Sequence, residues 1–409
     1  MPVNERALRR RAVVAAVALV LTGLLGVRAP HAHAAAAEVA EVQLPAPTGP
    51  YPVGTTTRHL VDTSRTDPWH PGRRAHREVM VSLWYPAARE GWRAGGPTAP
   101  YMQPRAAGHF GRGTPLGAVD WSAVRTHARP DAPVARGARV RPVLLYSPGL
   151  GDPRTWNTSL VEDLASRGYV VVTVDHTYDA SEVALPGGRL ATSVLPALAA
   201  RRDVDPAAVL RKAMRARVDD LRFVLDRLGD RRAARLPHAL AAAMDLRHVG
   251  ALGHSAGGFT AVQALYEDRR VDAAVDLDGT LAFPGPGGLS AVARAGVHRP
   301  LLLMGTDAAD SGEYDRQPSW LALWRHSHGA WKGNATLTGA EHGAYTDATV
   351  VLPQLARQGT VPWSAVREAV GTVRPERAVG VTRAYVAAFF DRFLRGGGAL
   401  PHFPELRER

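Results

Sequence analysis

A serine bracketed by glycines is the first residue in this chain whose setting could make it reactive. The segment Val249-Gly250-Ala251-Leu252-Gly253-His254-Ser255-Ala256-Gly257-Gly258 carries G-x-S-x-G directly after an apolar run and directly before a helix-patterned stretch. A serine at such a strand-to-helix turn presents its hydroxyl at a helix N-terminus, and the flanking glycines relieve backbone crowding. Near neutral pH a serine hydroxyl is a poor nucleophile. It needs an adjacent base, usually a histidine whose tautomer is fixed by a carboxylate. Ser255 is therefore the candidate nucleophile for acyl transfer, and its partners are expected downstream in the order acid, then histidine.

Sixteen histidines compete for the role of base. His342 stands in a turn after a late strand pattern, Thr336-Leu337-Thr338-Gly339-Ala340-Glu341-His342-Gly343, whereas His326 and His328 read as helical or exposed and His402 lies beyond the final helix. Two carboxylates end strand patterns between the serine and His342: Asp278, closing Val275-Asp276-Leu277-Asp278-Gly279, and Asp307, closing Met304-Gly305-Thr306-Asp307. Spacing alone leaves both open. Asp276 lies deeper on the same strand and reads as a hydrogen-bonded structural carboxylate. Negative charge on the carbonyl oxygen of an ester under attack calls for two pre-aimed backbone N–H groups. One is expected from Ala256, immediately after the serine, and the other from Leu150 in the glycine-bracketed loop Ser147-Pro148-Gly149-Leu150-Gly151.

The elements that must hold these residues are short apolar runs separated by helical stretches. Strands are predicted at Val79 to Tyr85, Pro142 to Tyr146, Tyr169 to Val174, Val249 to Leu252, Val271 to Leu277, Pro300 to Met304 and Ala335 to Thr338. Helices are predicted at Ser159 to Arg167, Pro206 to Leu228, Ala256 to Tyr266 and Glu376 to Leu394, the last stopping at Gly396-Gly397-Gly398. Tyr169-Val170-Val171-Val172-Thr173-Val174 is apolar on both faces, as in a strand covered by helices on each side. The fold class is α/β, an α/β-hydrolase fold with a mostly parallel central sheet and helices on both faces. Residues 38 to about 77 read as a Pro-rich irregular start, and 87 to 140 as a surface excursion or a wall of the substrate site. The Ala-rich stretch 180–246 is long for a simple crossover and is expected to add lid helices over the site.

Arg6, Arg9, Arg10 and Arg11, an apolar stretch from Ala12 to Val27, and small residues through Ala37 form a signal-peptide pattern. The expected organisation is a signal peptide over 1–37, then one domain over 38–409, with a secreted, extracellular product exported by the Sec or the Tat route. The chain has no cysteine, so neither disulfides nor a lipidated cysteine is available. Its formal net charge is +12; taking away the five arginines and one glutamate of residues 1–37 leaves 45 basic and 37 acidic residues, or +8. That charge is almost entirely scattered arginine with no basic stripe or recognised motif, which excludes nucleic acid as the expected partner. It leaves room for transient contact with a membrane or lipid surface. The oligomeric state is not encoded in any motif.

Several motifs in order make the chain resemble the plasma-type (group VII) platelet-activating-factor acetylhydrolase family and its exported bacterial relatives. They are Leu83-Trp84-Tyr85-Pro86, Tyr146-Ser147-Pro148-Gly149-Leu150-Gly151, Leu164-Ala165-Ser166-Arg167-Gly168-Tyr169-Val170-Val171, Gly253-His254-Ser255-Ala256-Gly257-Gly258, Leu277-Asp278-Gly279 and His342-Gly343-Ala344-Tyr345-Thr346-Asp347. The resemblance implies Asp278 rather than Asp307 as the acid, and the Leu150 and Ala256 backbones as oxyanion donors. It also implies hydrolysis of short acyl esters or phospholipid sn-2 acyl groups through a Ser-His-Asp acyl-enzyme, with no cofactor and no metal. Where that family often has histidine before the Gly-Leu-Gly turn, this chain has Pro148. The competing expectations are a lipase or polyester (cutinase-like) hydrolase, acyl transfer to an alcohol, and a non-catalytic binding protein of the same fold. The last would be expected to have lost the serine, the histidine or the acid.

Overall fold

The computed structural model describes residues 40–70, 75–89, 96–112, 114–135, 140–230, 235–307 and 317–408. Residues 1–37, the expected signal peptide, lie outside them. The strands are β1 (Val53–Thr66), β2 (His76–Pro86), β3 (Arg129–Pro130), β4 (Arg141–Ser147), β5 (Val170–Asp175), β6 (Glu182–Leu185), β7 (Arg189–Thr192), β8 (Met244–His254), β9 (Val271–Leu277), β10 (Leu301–Thr306), β11 (Lys332–Leu337) and β12 (Leu406–Glu408). All but the β6–β7 hairpin join one sheet in the order β12-β11-β10-β9-β8-β4-β5-β2-β1-β3. Its centre, β5-β4-β8-β9-β10-β11, is parallel, and the β1–β2, β2–β5 and β11–β12 pairings are antiparallel.

Four helices carry the layers: α1 (Thr158–Ser166), α2 (Pro206–Gly229), α3 (Ala256–Glu267) and α4 (Pro375–Arg395). The two-residue period of the strands divides the core between them. In β4, Leu144 and Tyr146 join Val381, Phe389 and Phe390 of α4 and Leu160 and Leu164 of α1 on one face. Val143 and Leu145 face the other way, toward Leu221, Val224 and Leu228 of α2. Each fully buried Leu or Phe contributes about 1.5–3 kcal/mol, so Phe390→Ala, which also opens a cavity, costs about 3–5 kcal/mol. The last helix stops at Gly396 in the left-handed conformation (φ 69°), as its glycines predict.

Two stretches differ from the sequence reading. Residues 38–77, read as irregular, contain β1, whose Thr-rich run pairs along β2 from Val53↔Pro86 to Asp62↔Arg77. The excursion 87–140 is anchored in the core by an aromatic cluster. Trp121 stands 5.0 Å from Phe110 and 6.0 Å from Trp156, while Tyr101 donates to Asp347 at 2.9 Å. A cleft of about 570 Å³ lined by Phe110, Val119 and Trp121 opens on its surface.

Residues 180–246, the candidate lid segment, form the β6–β7 hairpin, the short helix Leu195–Ala200, α2, and the helix His238–Ala243 before entering β8. The C-terminal half of α2 packs on the sheet, through Leu221, Val224 and Leu228. Its N-terminal half, with Leu195 and Leu198, packs with Leu150, Ala256, Phe259 and Phe283 beside Ser255. Among the described residues no helix is long and apolar enough to cross a membrane.

Candidate active site

The parallel strands all end on one edge of the sheet, where α/β folds place their ligands. Ser255 follows β8 there and caps α3 with φ 55° and ψ −121°, a strained conformation for a residue with a side chain. Its N–H donates to Leu277 O at 2.8 Å, and its carbonyl accepts from Phe259 N at 3.1 Å, so the turn is locked from both sides. The glycines permit the close packing underneath. A Cβ on Gly257 would stand 1.9 Å from Ser147 O, and one on Gly253 would stand 2.4 Å from the same oxygen. The loop that ends β4 is thereby pressed against the start of α3, bringing Leu150 into one apolar cluster with Ala256.

Asp278 follows β9 with φ 61°, its N–H held by Met304 O at 2.8 Å. His342 begins a short turn of helix after β11 and places Nδ1 2.6 Å from Asp278 Oδ2. A carboxylate only accepts, so Nδ1 carries the proton and Nε2 is left with its lone pair. Packing draws the His342 pKa down, but the hydrogen bond and charge of Asp278, with the charges of Asp152 and Glu341, outweigh it. The net shift is upward from 6.5. The turn is pinned beyond His342: Tyr345 Oη donates to Gly305 O at 2.7 Å, Asn157 Nδ2 donates to Tyr345 O at 2.8 Å, and Asp347 accepts from Thr158 N at 2.8 Å at the start of α1.

The structure thus brings His342 to Asp278 and not to Asp307. Asp307 Oδ2 instead accepts from Gly339 N at 2.7 Å, and Oδ1 accepts from Arg407 Nη2 at 2.9 Å, tying the loop before His342 to β12. Asp276 lies fully buried below, its Oδ1 accepting from Gly279 N at 2.8 Å, and burial pushes its pKa well up. His326 is the last residue of its helix. Among the described residues no group of three or more His, Asp or Glu side chains is arranged to hold a metal ion.

Sequence reasoning missed what holds the loop after β4, the expected source of an oxyanion donor and called the oxyanion loop on that expectation. Arg217 of α2 is fully buried and spends its guanidinium on that loop: Nη1 donates to Pro148 O at 2.7 Å and Nη2 to Gly149 O at 2.8 Å. Nε and Nη2 also fork onto Asp179 at 2.7 and 2.6 Å, and Asp179 Oδ1 accepts from Gly151 N at 3.0 Å. Pro148 has no N–H to give; its carbonyl is what the loop uses. Ser147 Oγ bonds His176 Nε2 at 2.9 Å, and His176 Nδ1 bonds Asp220, which also takes Arg77. The Ala213, Met214, Arg217, Leu221 spacing puts Arg217 on the apolar face of its helix, which was the available signal.

Residues 36–185 match the sequence profile of platelet-activating factor acetylhydrolase, isoform II, a span that ends before Ser255. A probable 1-alkyl-2-acetylglycerophosphocholine esterase of Arthroderma benhamiae is 26% identical over 381 residues, covering 86% of this chain and 88% of that protein. The structure of a ferulic acid esterase from Streptomyces cinnamoneus superposes with a TM-score of 0.72 at 39% identity, covering 90% of this chain and 99% of that one. Fold and relatives together define a carboxylic ester hydrolase with the α/β-hydrolase fold. The two esterases are relatives along most of their length, not only around a motif. The chain belongs to the platelet-activating factor acetylhydrolase isoform II family.

Proposed function

We propose that this chain is a secreted serine esterase in which Ser255 is the nucleophile, His342 the base and Asp278 the acid. The observation that carries the reading is the 2.6 Å contact between His342 Nδ1 and Asp278 at the strand edge that also presents Ser255 on its strained turn. Ser255 Oγ attacks the ester carbonyl carbon while His342 Nε2 takes its proton, and Asp278 stabilises the imidazolium. The oxyanion forms against the N–H groups of Leu150 and Ala256. Collapse expels the alcohol, which takes the proton from His342. Water, activated by the same nitrogen, then releases the acid and restores Ser255.

The substrate reading is a small ester with an apolar acyl group of modest size. Leu150, Leu281, Phe259 and Phe283 gather beside Ala256, with the two phenyl rings 5.4 Å apart. Such a wall suits the short acetyl group named for the fungal relative and the aromatic acid named for the bacterial one. Export rests on the pattern of residues 1–37, and reversible contact with lipid surfaces belongs to the same reading.

The test is hydrolysis of p-nitrophenyl esters of graded chain length and of methyl ferulate by the wild type and Ser255→Ala. Activity concentrated on acetyl to butyryl esters or on the ferulate, and abolished in Ser255→Ala, is expected. Preference for long-chain or insoluble esters would turn the reading toward a lipase or polyester hydrolase. Full activity in Ser255→Ala would overturn the mechanism.

A further inference from the structure

One buried atom beside the catalytic histidine has no partner. His254, the residue before Ser255, donates Nε2–H to the carbonyl oxygen of His342 at 3.0 Å, and the two rings lie 4.4 Å apart. A carbonyl only accepts, so Nε2 holds the proton. Burial and the neighbouring His342 pull the His254 pKa well below its usual value and keep the ring neutral, so Nδ1 is a bare lone pair. That Nδ1 is buried and has no hydrogen-bond partner among the described residues. A buried acceptor left unpaired is destabilising, because it has given up its hydrogen bond to water and gained none in return.

The polar group facing it is Asp152, at the end of the oxyanion loop, with Oδ2 4.0 Å from His254 Nδ1. A carboxylate there would set two acceptors against each other; a carboxylic acid would satisfy both. Burial pushes the Asp152 carboxyl up to about 7, against the pull of Arg217 and His342, and Asp179 adds to the rise. The charged and titratable groups around it are Arg217 on α2, Asp179 after β5, His254 at the end of β8 and His342 after β11, with the Tyr101 and Tyr146 hydroxyls also in its field. The side chain is 26% exposed, so protons reach it from solvent.

We propose that Asp152 and His254 form a positioning pair behind His342, in which the protonated Asp152 carboxyl donates to His254 Nδ1 and His254 Nε2–H holds the His342 carbonyl. Closing 4.0 Å to hydrogen-bond length moves the carboxyl by about 1 Å. The link fixes the backbone that carries the base. When Asp152 loses its proton the link opens, and its negative charge instead favours the protonated form of His342. This inference rests on the triad reading, because it assigns the pair a role through His342.

The experiment compares Asp152→Asn, whose amide still donates but carries no charge, with Asp152→Ala, which does neither. In pH profiles of kcat/KM on p-nitrophenyl acetate, both variants should move the acid limb to lower pH by about half a unit or more, since the charge that favours imidazolium is gone. On the plateau above the limb, Asp152→Ala should lose at least about fivefold more kcat than Asp152→Asn, because only the amide can still donate to Nδ1. A readout independent of catalysis is the ¹⁵N resonance of His254 Nδ1 at a fixed pH above both limbs. It should be displaced toward the hydrogen-bonded position in Asp152→Asn and not in Asp152→Ala. An unmoved acid limb, equal plateau rates or identical His254 resonances would each overturn the pairing. Failure of the triad reading would register differently, as activity surviving in Ser255→Ala.

Discussion

Replacing Arg217 by methionine tests whether catalysis depends on how the oxyanion loop is held. Methionine keeps the apolar stem of the side chain but removes four hydrogen bonds of 2.8 Å or shorter, to Pro148 O, Gly149 O and both oxygens of Asp179. Asp179 then becomes a buried carboxylate without its cation, and breaking such a pair costs about 3–5 kcal/mol. Against a typical domain stability of about 5–15 kcal/mol, the variant should fold with a Tm lowered by several degrees. Deleting one oxyanion donor outright costs about 10²–10³ in kcat. In the proposed mechanism the substitution misaims the Leu150 N–H without deleting it, so kcat should fall about 10- to 100-fold, while KM for a small ester changes little. Arg217→Lys should fall between, because an ammonium cannot fork onto Asp179 and reach two carbonyls at once. The assay is steady-state hydrolysis of p-nitrophenyl acetate, paired with binding of a boronic acid that mimics the tetrahedral intermediate. Boronate affinity should weaken in step with kcat. A kcat within twofold of the wild type, in a variant whose Tm has dropped, would show that the clamp serves stability alone.

Other outcomes follow from the same geometry. Asp278→Asn should lower kcat about 10³- to 10⁴-fold by leaving the wrong His342 tautomer. Asp307→Asn, at a side chain that bonds Gly339 and Arg407 and not His342, should stay within a few fold in the same assay. Because the His342 pKa is raised above 6.5 and only the neutral ring acts as base, kcat/KM should fall as the pH drops through a limb above 6.5, and Asp278→Asn should move that limb downward. Gly257→Ala places a Cβ 1.9 Å from Ser147 O, so it should lower both Tm and kcat, measured by thermal melt and by ester hydrolysis.

The parts of this site written as apolar runs and turn residues were legible in the sequence. The Val-rich β5, the β8-Ser255-α3 turn and the glycine stop of α4 each announce themselves locally. The parts written as polar residues doing buried work were not. β1 escaped because its run Thr55-Thr56-Thr57-Arg58-His59 reads as solvated, although it pairs along β2. Arg217 and Asp220 escaped because charged helix residues usually face water, whereas here both are fully buried in the network beneath the oxyanion loop. Asp278 and Asp307 stand at equivalent strand ends in the sequence. What separates them is the left-handed turn at Asp278, which aims its carboxylate at His342, a backbone feature that spacing does not carry.

In the proposed mechanism Ser255 carries the acyl group. Treatment of the wild type with a serine-directed fluorophosphonate, followed by peptide mass mapping and activity assay, tests it most directly. A single adduct on the peptide containing Ser255, loss of ester hydrolysis in proportion to labelling, and neither labelling nor activity in Ser255→Ala are expected. An adduct on another residue, or hydrolysis by Ser255→Ala at the wild-type rate, would contradict it.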